Sequence, residues 1–252
     1  MPNPTIGALA FRNPLWFNSM PSLLLAEASV WTTWRPATCL PDDCFCEALR
    51  ESLIRQPANT WSSFAFALVA GWIALRLRRR DRFESAGLPA PEAWLFVGSL
   101  LLVGLGSAFY HASLTFVGQV FDVSGMYLVA TFILLHRLGP RWNLPPVWSV
   151  LGFVVANAVL MAAQVTTPSL RRVVFAVLLI AALAVEWRLA KAGRAWLAGG
   201  AGLMGLAFAI WVADRLRLAC SPDGLLQGHA LWHVLGAVAS GCLYLSYAAD
   251  SS

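Results

Sequence analysis

Charged residues are scarce in this chain of 252 residues. Only 12% are Asp, Glu, Lys or Arg, whereas 58% are hydrophobic, and a soluble domain usually carries about twice that charged fraction. Lysine is nearly missing, since Lys191 is the only one among 18 basic residues. Because apolar runs recur along the whole length, this composition argues against a single soluble core and predicts a membrane domain.

Several familiar motifs are also missing. The five cysteines form no CxxC pair, which disfavours a zinc ribbon. The net charge of +5 comes without a Walker loop, a dinucleotide fingerprint or a basic surface interleaved with aromatics, so we expect no nucleic-acid partner. The first 38 residues have no basic start followed by a clean hydrophobic stretch, so we predict no signal peptide. This proline-interrupted segment is either an interfacial arm or an over-extended start of the reading frame.

Seven apolar runs are long enough, or nearly so, to cross about 30 Å of hydrocarbon at about 1.5 Å per residue. They cover residues 58–76, 93–113, 119–136, 147–164, 172–190, 195–213 and 229–247. Pro57 suits the first turn of the first helix. We therefore predict an all-α, seven-transmembrane helix bundle over residues 57–248. Before it, we predict an extracytoplasmic, partly irregular segment over residues 1–56.

Basic residues are unevenly divided between the two sets of loops. Ten follow the first, third and fifth spans, namely Arg76, Arg78, Arg79, Arg80, Arg82, Arg137, Arg141, Arg188, Lys191 and Arg194. Four lie in the opposite short loops, namely Arg171, Arg172, Arg215 and Arg217. The positive-inside rule then places the ten in the cytoplasm, the N-terminal segment outside and the C-terminus inside.

Three of the four histidines meet at the predicted outer face. His111 ends the second span, and His229 and His233 begin the seventh. The i, i+4 spacing of His229 and His233 puts both rings on one helix face. Three imidazoles and a water are the open tetrahedral arrangement of catalytic zinc. Asp122 begins the third span at the same face, and Ser107 lies four residues before His111.

Each of these residues also has an ordinary structural interpretation. A histidine at a span end is commonly interfacial, Asp122 can cap its helix, and Ser107 can bond its own backbone. Together they favour a site, because ionisable groups at membrane depth are costly and tend to mark function. From spacing alone, the metal site and the structural interpretation remain evenly balanced.

Other polar residues in the spans are expected to be structural. His136 lies beside Arg137 at the cytoplasmic end, and we expect it to be an interfacial residue. Glu186 is expected to pair with Arg188 or to extend toward the interface. We expect Asp214 to pair with its neighbour Arg215 or with the loops.

Two motifs resemble the alkaline ceramidase family. The run from Gly106 to Leu114, GSAFYHASL, resembles the second-span motif of that family, and Gln227 to His233, QGHALWH, resembles its last-span HxxxH motif. Asp122 stands where the family has its third-span aspartate, and Asn59 to Ser62 resembles the start of its first span. The resemblance covers roughly residues 44–247, within a superfamily that includes adiponectin-type receptors and GPI-lipid remodelling proteins.

The resemblance implies a zinc-dependent amidohydrolase that cleaves ceramide-like lipids. Zinc would be held by His111, His229 and His233, with Asp122 as the general base and Ser107 as a donor to the oxyanion. It also implies a disulfide between Cys46 and Cys220, although Cys44 remains an alternative partner. No other cofactor site is expected.

One feature departs from the family pattern. Gln56 stands where the family has a glutamate shortly before the first span. Asp43 and Glu47 are candidate calcium ligands, but their spacing does not match the family's acidic segment. Calcium needs several oxygen ligands, so calcium binding is doubtful.

Two other functions are compatible with the same sequence features. A seven-span lipid receptor with structural zinc would bind a ligand without turnover, and a lipid esterase could use the same metal site. An opsin is excluded because the seventh span has no lysine, and no broken span or inverted repeat favours a transporter. We expect an integral multi-pass membrane protein in a bacterial inner membrane with a periplasmic site, or in the ER or Golgi with a luminal site if the source is eukaryotic.

Overall fold

The described part of the chain is an all-α bundle with seven long helices. The computed structural model describes residues 30–40, 44–79, 88, 90–143, 145–218 and 220–250. The helices are α1 (Pro57–Arg79), α2 (Ala90–Ser113), α3 (Phe116–Leu138), α4 (Pro146–Thr166), α5 (Arg171–Leu189), α6 (Arg194–Arg215) and α7 (Gly228–Asp250). All seven have the length and composition of a membrane span. The predicted fold class is therefore confirmed, and each predicted span agrees with one helix to within three residues.

The helices differ in how much of their surface is covered by protein. Helices α2, α3 and α7 have 56%, 50% and 56% of their most apolar stretch buried, whereas α4, α5 and α6 have only 11–17%. An apolar helix that exposes most of its surface is suited to contact with lipid. The packed centre of the bundle is therefore formed by α1, α2, α3 and α7, with α4 to α6 more peripheral.

Two glycines bring α2 and α3 into close contact. A Cβ atom on Gly106 would lie 2.9 Å from the carbonyl oxygen of Phe121, and one on Gly125 would lie 2.7 Å from Cα of Val103. Small residues let two membrane helices approach closely. The contact at Gly106 places the start of α3, with Asp122, directly beside the last turns of α2.

A charged network closes the end of the bundle opposite the histidine cluster. Arg137 of α3 pairs with Glu186 of α5 and with Asp250 of α7. The expectation that Glu186 pairs with Arg188 is therefore wrong, because packing places Arg137 against the buried carboxylate. His136 is more than an interfacial residue, since its largely covered ring contacts Glu92.

Two disulfides hold the segment before α1 against the bundle. Cys46 bonds to Cys220 in the loop before α7, and Cys39 bonds to Cys44. The first pair is the one that the family resemblance implied, and the second was not predicted. Val30–Thr33 form a short 3-10 helix. Residues 1–29, which make up most of the unassigned N-terminal stretch, lie outside the described residues.

Candidate metal centre

The three histidines predicted to bind metal form one buried cluster. His111 lies in the last turn of α2, and His229 and His233 lie in the first two turns of α7. The Nε2 atoms of His111 and His229 are 3.1 Å apart. One ring nitrogen from each of the three lies within 4.8 Å of the others, so a single ion could contact all three.

These distances fit a zinc ion. Two imidazole nitrogens bound at ~2.05 Å to one tetrahedral zinc lie ~3.3 Å apart, close to the observed spacing of His111 and His229. Three neutral imidazoles leave a fourth position for water or substrate, as catalytic zinc sites do. The donor set therefore suits zinc and is poor for calcium, which prefers oxygen ligands.

Gln56 orients the ring of His111. The Nδ1 atom of His111 lies 2.9 Å from Oε1 of Gln56, and the Gln56 amide nitrogen donates to the carbonyl oxygen of Glu47. The second bond fixes which end of the amide faces the imidazole, so Nδ1 carries the proton. Nε2 of His111 is then the atom with a free lone pair, which is the usual arrangement for a metal-binding histidine.

Ser62 orients His233 in the same manner. The hydroxyl of Ser62 donates to the carbonyl oxygen of Asn59 at 3.0 Å, and its Oγ lies 2.9 Å from Nδ1 of His233. Because the hydroxyl proton is already used, Oγ accepts a hydrogen bond from Nδ1. Nε2 of His233 therefore carries the lone pair that faces the cluster.

His229 is positioned through its backbone and by stacking. Its N–H donates to Oδ1 of Asp214 at 3.1 Å, while Oδ2 of Asp214 accepts the N–H of Cys46, also at 3.1 Å. The ring of Phe45 stacks on the His229 ring with centroids 3.8 Å apart. Asp214 thus joins α6, α7 and the segment before α1, and it is more than the simple loop partner expected from the sequence.

A serine and an aspartate border the histidine cluster. Ser107 Oγ lies 3.2 Å from Nε2 of His233, and the carboxylate of Asp122 is close enough to Ser107 to interact with it. The close contact of α2 and α3 at Gly106 brings these two residues together. A hydroxyl and a carboxylate therefore border the imidazole nitrogens.

Glu47, a candidate calcium ligand, caps α1. Its two carboxylate oxygens accept the N–H groups of Ala58 at 2.7 Å and Asn59 at 2.9 Å, which are otherwise unpaired at a helix start. Burial raises the pKa of Glu47 above its ordinary value, and these two hydrogen bonds oppose the rise. Asp43, the other candidate, lies outside the described residues.

All five predicted centre residues, the three histidines with Asp122 and Ser107, come together in the structure. The sequence does not identify Phe45, Gln56 and Ser62 as orienting residues. It marks Gln56 only as a departure from the family pattern and Ser62 only as part of a motif. The signal for these two is their position at the start of α1, in the stretch that resembles the family.

Fold and site together define a polytopic membrane protein whose bundle carries, at one end, a buried cluster of three histidines that could hold a metal ion. The model of the family described as Ceramidase matches residues 45–250, which is most of the chain. The chain therefore belongs to the ceramidase family, as its motifs predicted. That family's enzymes are amidohydrolases, in agreement with the predicted enzyme class.

Two relatives carry the same family name. The chain is 32% identical to an alkaline ceramidase of Drosophila melanogaster over 100 residues, which are 40% of this chain and 34% of the fly protein. It is 26% identical to an alkaline ceramidase of Caenorhabditis briggsae over 207 residues, which are 75% of this chain and 72% of the worm protein. The first match thus spans about a third of the relative's length, and the second spans most of both chains.

Proposed function

We propose that this chain is a zinc-dependent membrane hydrolase that cleaves the N-acyl amide bond of ceramide-like lipids, releasing a sphingoid base and a fatty acid. The observation that carries the proposal is the buried cluster of His111, His229 and His233, with Ser107 Oγ 3.2 Å from Nε2 of His233 and Asp122 beside Ser107. Membership of the ceramidase family supplies the substrate class.

The histidines would hold zinc through their Nε2 atoms, with His111 and His233 kept in the required tautomer by Gln56 and Ser62. When bound, zinc would supply a Lewis acid that acidifies a water molecule and polarises a carbonyl. Burial of all three rings limits competition from bulk water.

Asp122 is the group suited to move protons. Its carboxylate can accept the proton of the attacking water and pass it to the nitrogen of the leaving amine. Ser107, between Asp122 and His233, can hold the carboxylate in place before the reaction and donate to the oxygen on which negative charge develops.

The surrounding bundle suits a lipid substrate. The centre lies at one end of seven apolar helices, so acyl chains could extend along the bundle while the amide reaches the histidines. Helices α3, α5, α6 and α7 enclose a narrow apolar space of about 50 Å³ lined by residues such as Leu179, Met204 and Leu243. We assign the hydrolase domain to residues 57–248, the segment 1–56 to the outer side, and the site to the periplasmic or luminal face.

An assay of the purified protein tests the proposal. We expect release of fatty acid from ceramides, loss of that release with a zinc chelator, and recovery when zinc is restored. Phospholipids and GPI-type lipids in the same panel test the esterase alternative. Binding of ceramide without any release of fatty acid would support the receptor alternative and exclude the hydrolase.

A further inference from the structure

A cavity of about 490 Å³ opens at the same end of the bundle as the histidine cluster. A cavity of this size falls within the usual range for small-molecule sites. Its walls come from the segment before α1, from the start of α5 and from the end of α6, and it is lined by Thr38, Cys39, Pro168, Ser169, Arg171, Arg172 and Arg215. Three of these seven residues are arginines, and none is acidic.

Arg171 is buried at the cavity wall with part of its charge unsatisfied. Only 5% of the residue is exposed. One terminal nitrogen, NH2, donates to Thr38 Oγ1, but the other, NH1, is buried with no hydrogen-bond partner in the described chain. A buried cationic nitrogen without an acceptor costs free energy, so an acceptor brought within reach of NH1 would stabilise it.

Positive charges lie close together at this cavity. Arg171 and Arg172 repel each other, and Arg172 also repels Arg215. Among the described residues, neither Arg171 nor Arg172 forms an ion pair with a carboxylate. Both also lie in the first turn of α5, where the helix dipole already favours anions and disfavours cations. The arrangement favours a negatively charged occupant.

The cavity adjoins the candidate metal centre. Cys39 Sγ on its wall lies 3.3 Å from the hydroxyl of Tyr110, the neighbour of His111 in α2. Arg171 is also close enough to Asp122 to interact with it electrostatically. A group bound to the arginines could therefore belong to the same lipid whose amide lies at the histidines.

We propose that this cavity binds a phosphate group carried by the headgroup of the lipid substrate, with Arg171 and Arg172 as its ligands. The inference rests on the proposed function and narrows its substrate class to ceramides with an anionic headgroup. Arginine is suited to this task because its planar guanidinium donates paired, charge-assisted hydrogen bonds to phosphate oxygens.

A comparison of two substrates tests the proposal. The full chain is assayed with a neutral ceramide and with the same ceramide carrying a phosphate ester on its primary hydroxyl. We expect the wild type to prefer the phosphorylated lipid in kcat/KM. Arg172→Gln should lower that preference by about tenfold, the effect of losing one charge-assisted contact. Arg171→Gln tests the other proposed phosphate ligand in the same assay.

The matched control lies on the same helix. Arg188→Gln removes one positive charge about 24 Å along α5 at about 1.5 Å per residue, and it should leave the preference unchanged. A preference that is absent in the wild type, or that falls equally in the Arg188 variant, would overturn the proposal. Stimulation of neutral-ceramide hydrolysis by an added anionic phospholipid, without any preference for phosphorylated ceramide, would also overturn it.

Direct binding separates this inference from the proposed function. If no ceramide is hydrolysed, the proposed function fails, and calorimetry with inorganic phosphate still tests the cavity. We expect wild-type binding that weakens in Arg172→Gln and not in Arg188→Gln. Asp42 and Asp43 lie outside the described residues, so the effect of their carboxylates is tested by substitution. Phosphate binding that occurs only in Asp42→Asn/Asp43→Asn would show that the chain neutralises itself and would refute the inference.

Discussion

His111 donates a hydrogen bond from Nδ1 to Oε1 of Gln56, 2.9 Å away. Gln56 is the last residue before α1 and is fully buried. It thus links the start of the first helix to the last turn of the second. The bond sets the tautomer of one proposed zinc ligand.

Removing this bond should weaken metal binding while leaving the fold in place. Gln56→Leu keeps a similar volume and removes the acceptor, so we expect zinc affinity to fall by about 10–100-fold, the usual cost of losing an orienting partner. Competition with a chelator of known affinity measures the change. Gln56→Glu, which provides the family's glutamate and a stronger acceptor, should retain zinc. Equal affinity in Gln56→Leu and the wild type would contradict this role.

The metal content of the purified protein tests the ligand set. We expect about one equivalent of zinc per chain, because the three imidazoles together form one binding site. His233→Ala should lose most of the metal, whereas His136→Ala, at the other end of the bundle, should keep it. Elemental analysis after gel filtration gives the ratio. Full zinc retention in the His111→Ala/His229→Ala double variant would refute the assignment.

The sequence predicted the helices well because a membrane span needs a long apolar run, and such runs are visible directly. The meeting of His111 with His229 also followed, since both lie at the same end of their spans. What could not be predicted was the path of residues 44–56, which carries Phe45 onto His229. That segment has no periodicity, and its position depends on disulfide pairing and on Asp214. The pairing of Glu186 with Arg137 likewise depends on how α3 and α5 pack.

The Cys46–Cys220 disulfide should matter more than the Cys39–Cys44 disulfide. It joins residues 174 apart in sequence, against 5 for the other, and longer closed loops generally stabilise a fold more. It also holds the segment whose Phe45 covers His229. We expect Cys46→Ser/Cys220→Ser to lower the unfolding midpoint and zinc affinity more than Cys39→Ser/Cys44→Ser does. Equal losses in the two double variants would argue against a special role, and non-reducing peptide mapping verifies both pairs.

Orientation in the membrane can be measured by cysteine labelling. Because ten basic residues flank one face and four the other, we expect Arg141→Cys to react only from the cytoplasm and Asp223→Cys only from outside. Both positions are exposed. Cys242, the one free cysteine in the described chain, is changed to serine in the background. The reverse pattern would move the proposed site to the cytoplasmic face.

Asp122 separates an enzyme from a receptor. If its carboxylate takes the proton of the attacking water, Asp122→Asn should keep zinc but lower turnover by about 100-fold or more, the usual scale for a lost general base. Ser107→Ala should lower turnover by about 100–1000-fold, as loss of an oxyanion donor does. KM should change little in both variants, because the lost interactions belong mainly to the transition state.

A receptor leads to a different result in the same experiment. The wild type would release no fatty acid above background, and Asp122→Asn would change only the affinity for the lipid. The measurement is fatty-acid release from a ceramide panel in detergent, with and without a chelator, alongside the zinc content of each variant. Unimpaired turnover in zinc-loaded Asp122→Asn would show that Asp122 is not the general base. Activity that resists the chelator would show that the reaction does not need the metal. Both groups are needed for the proposed hydrolysis, since the carboxylate can accept the proton only if the water attacks beside the histidines.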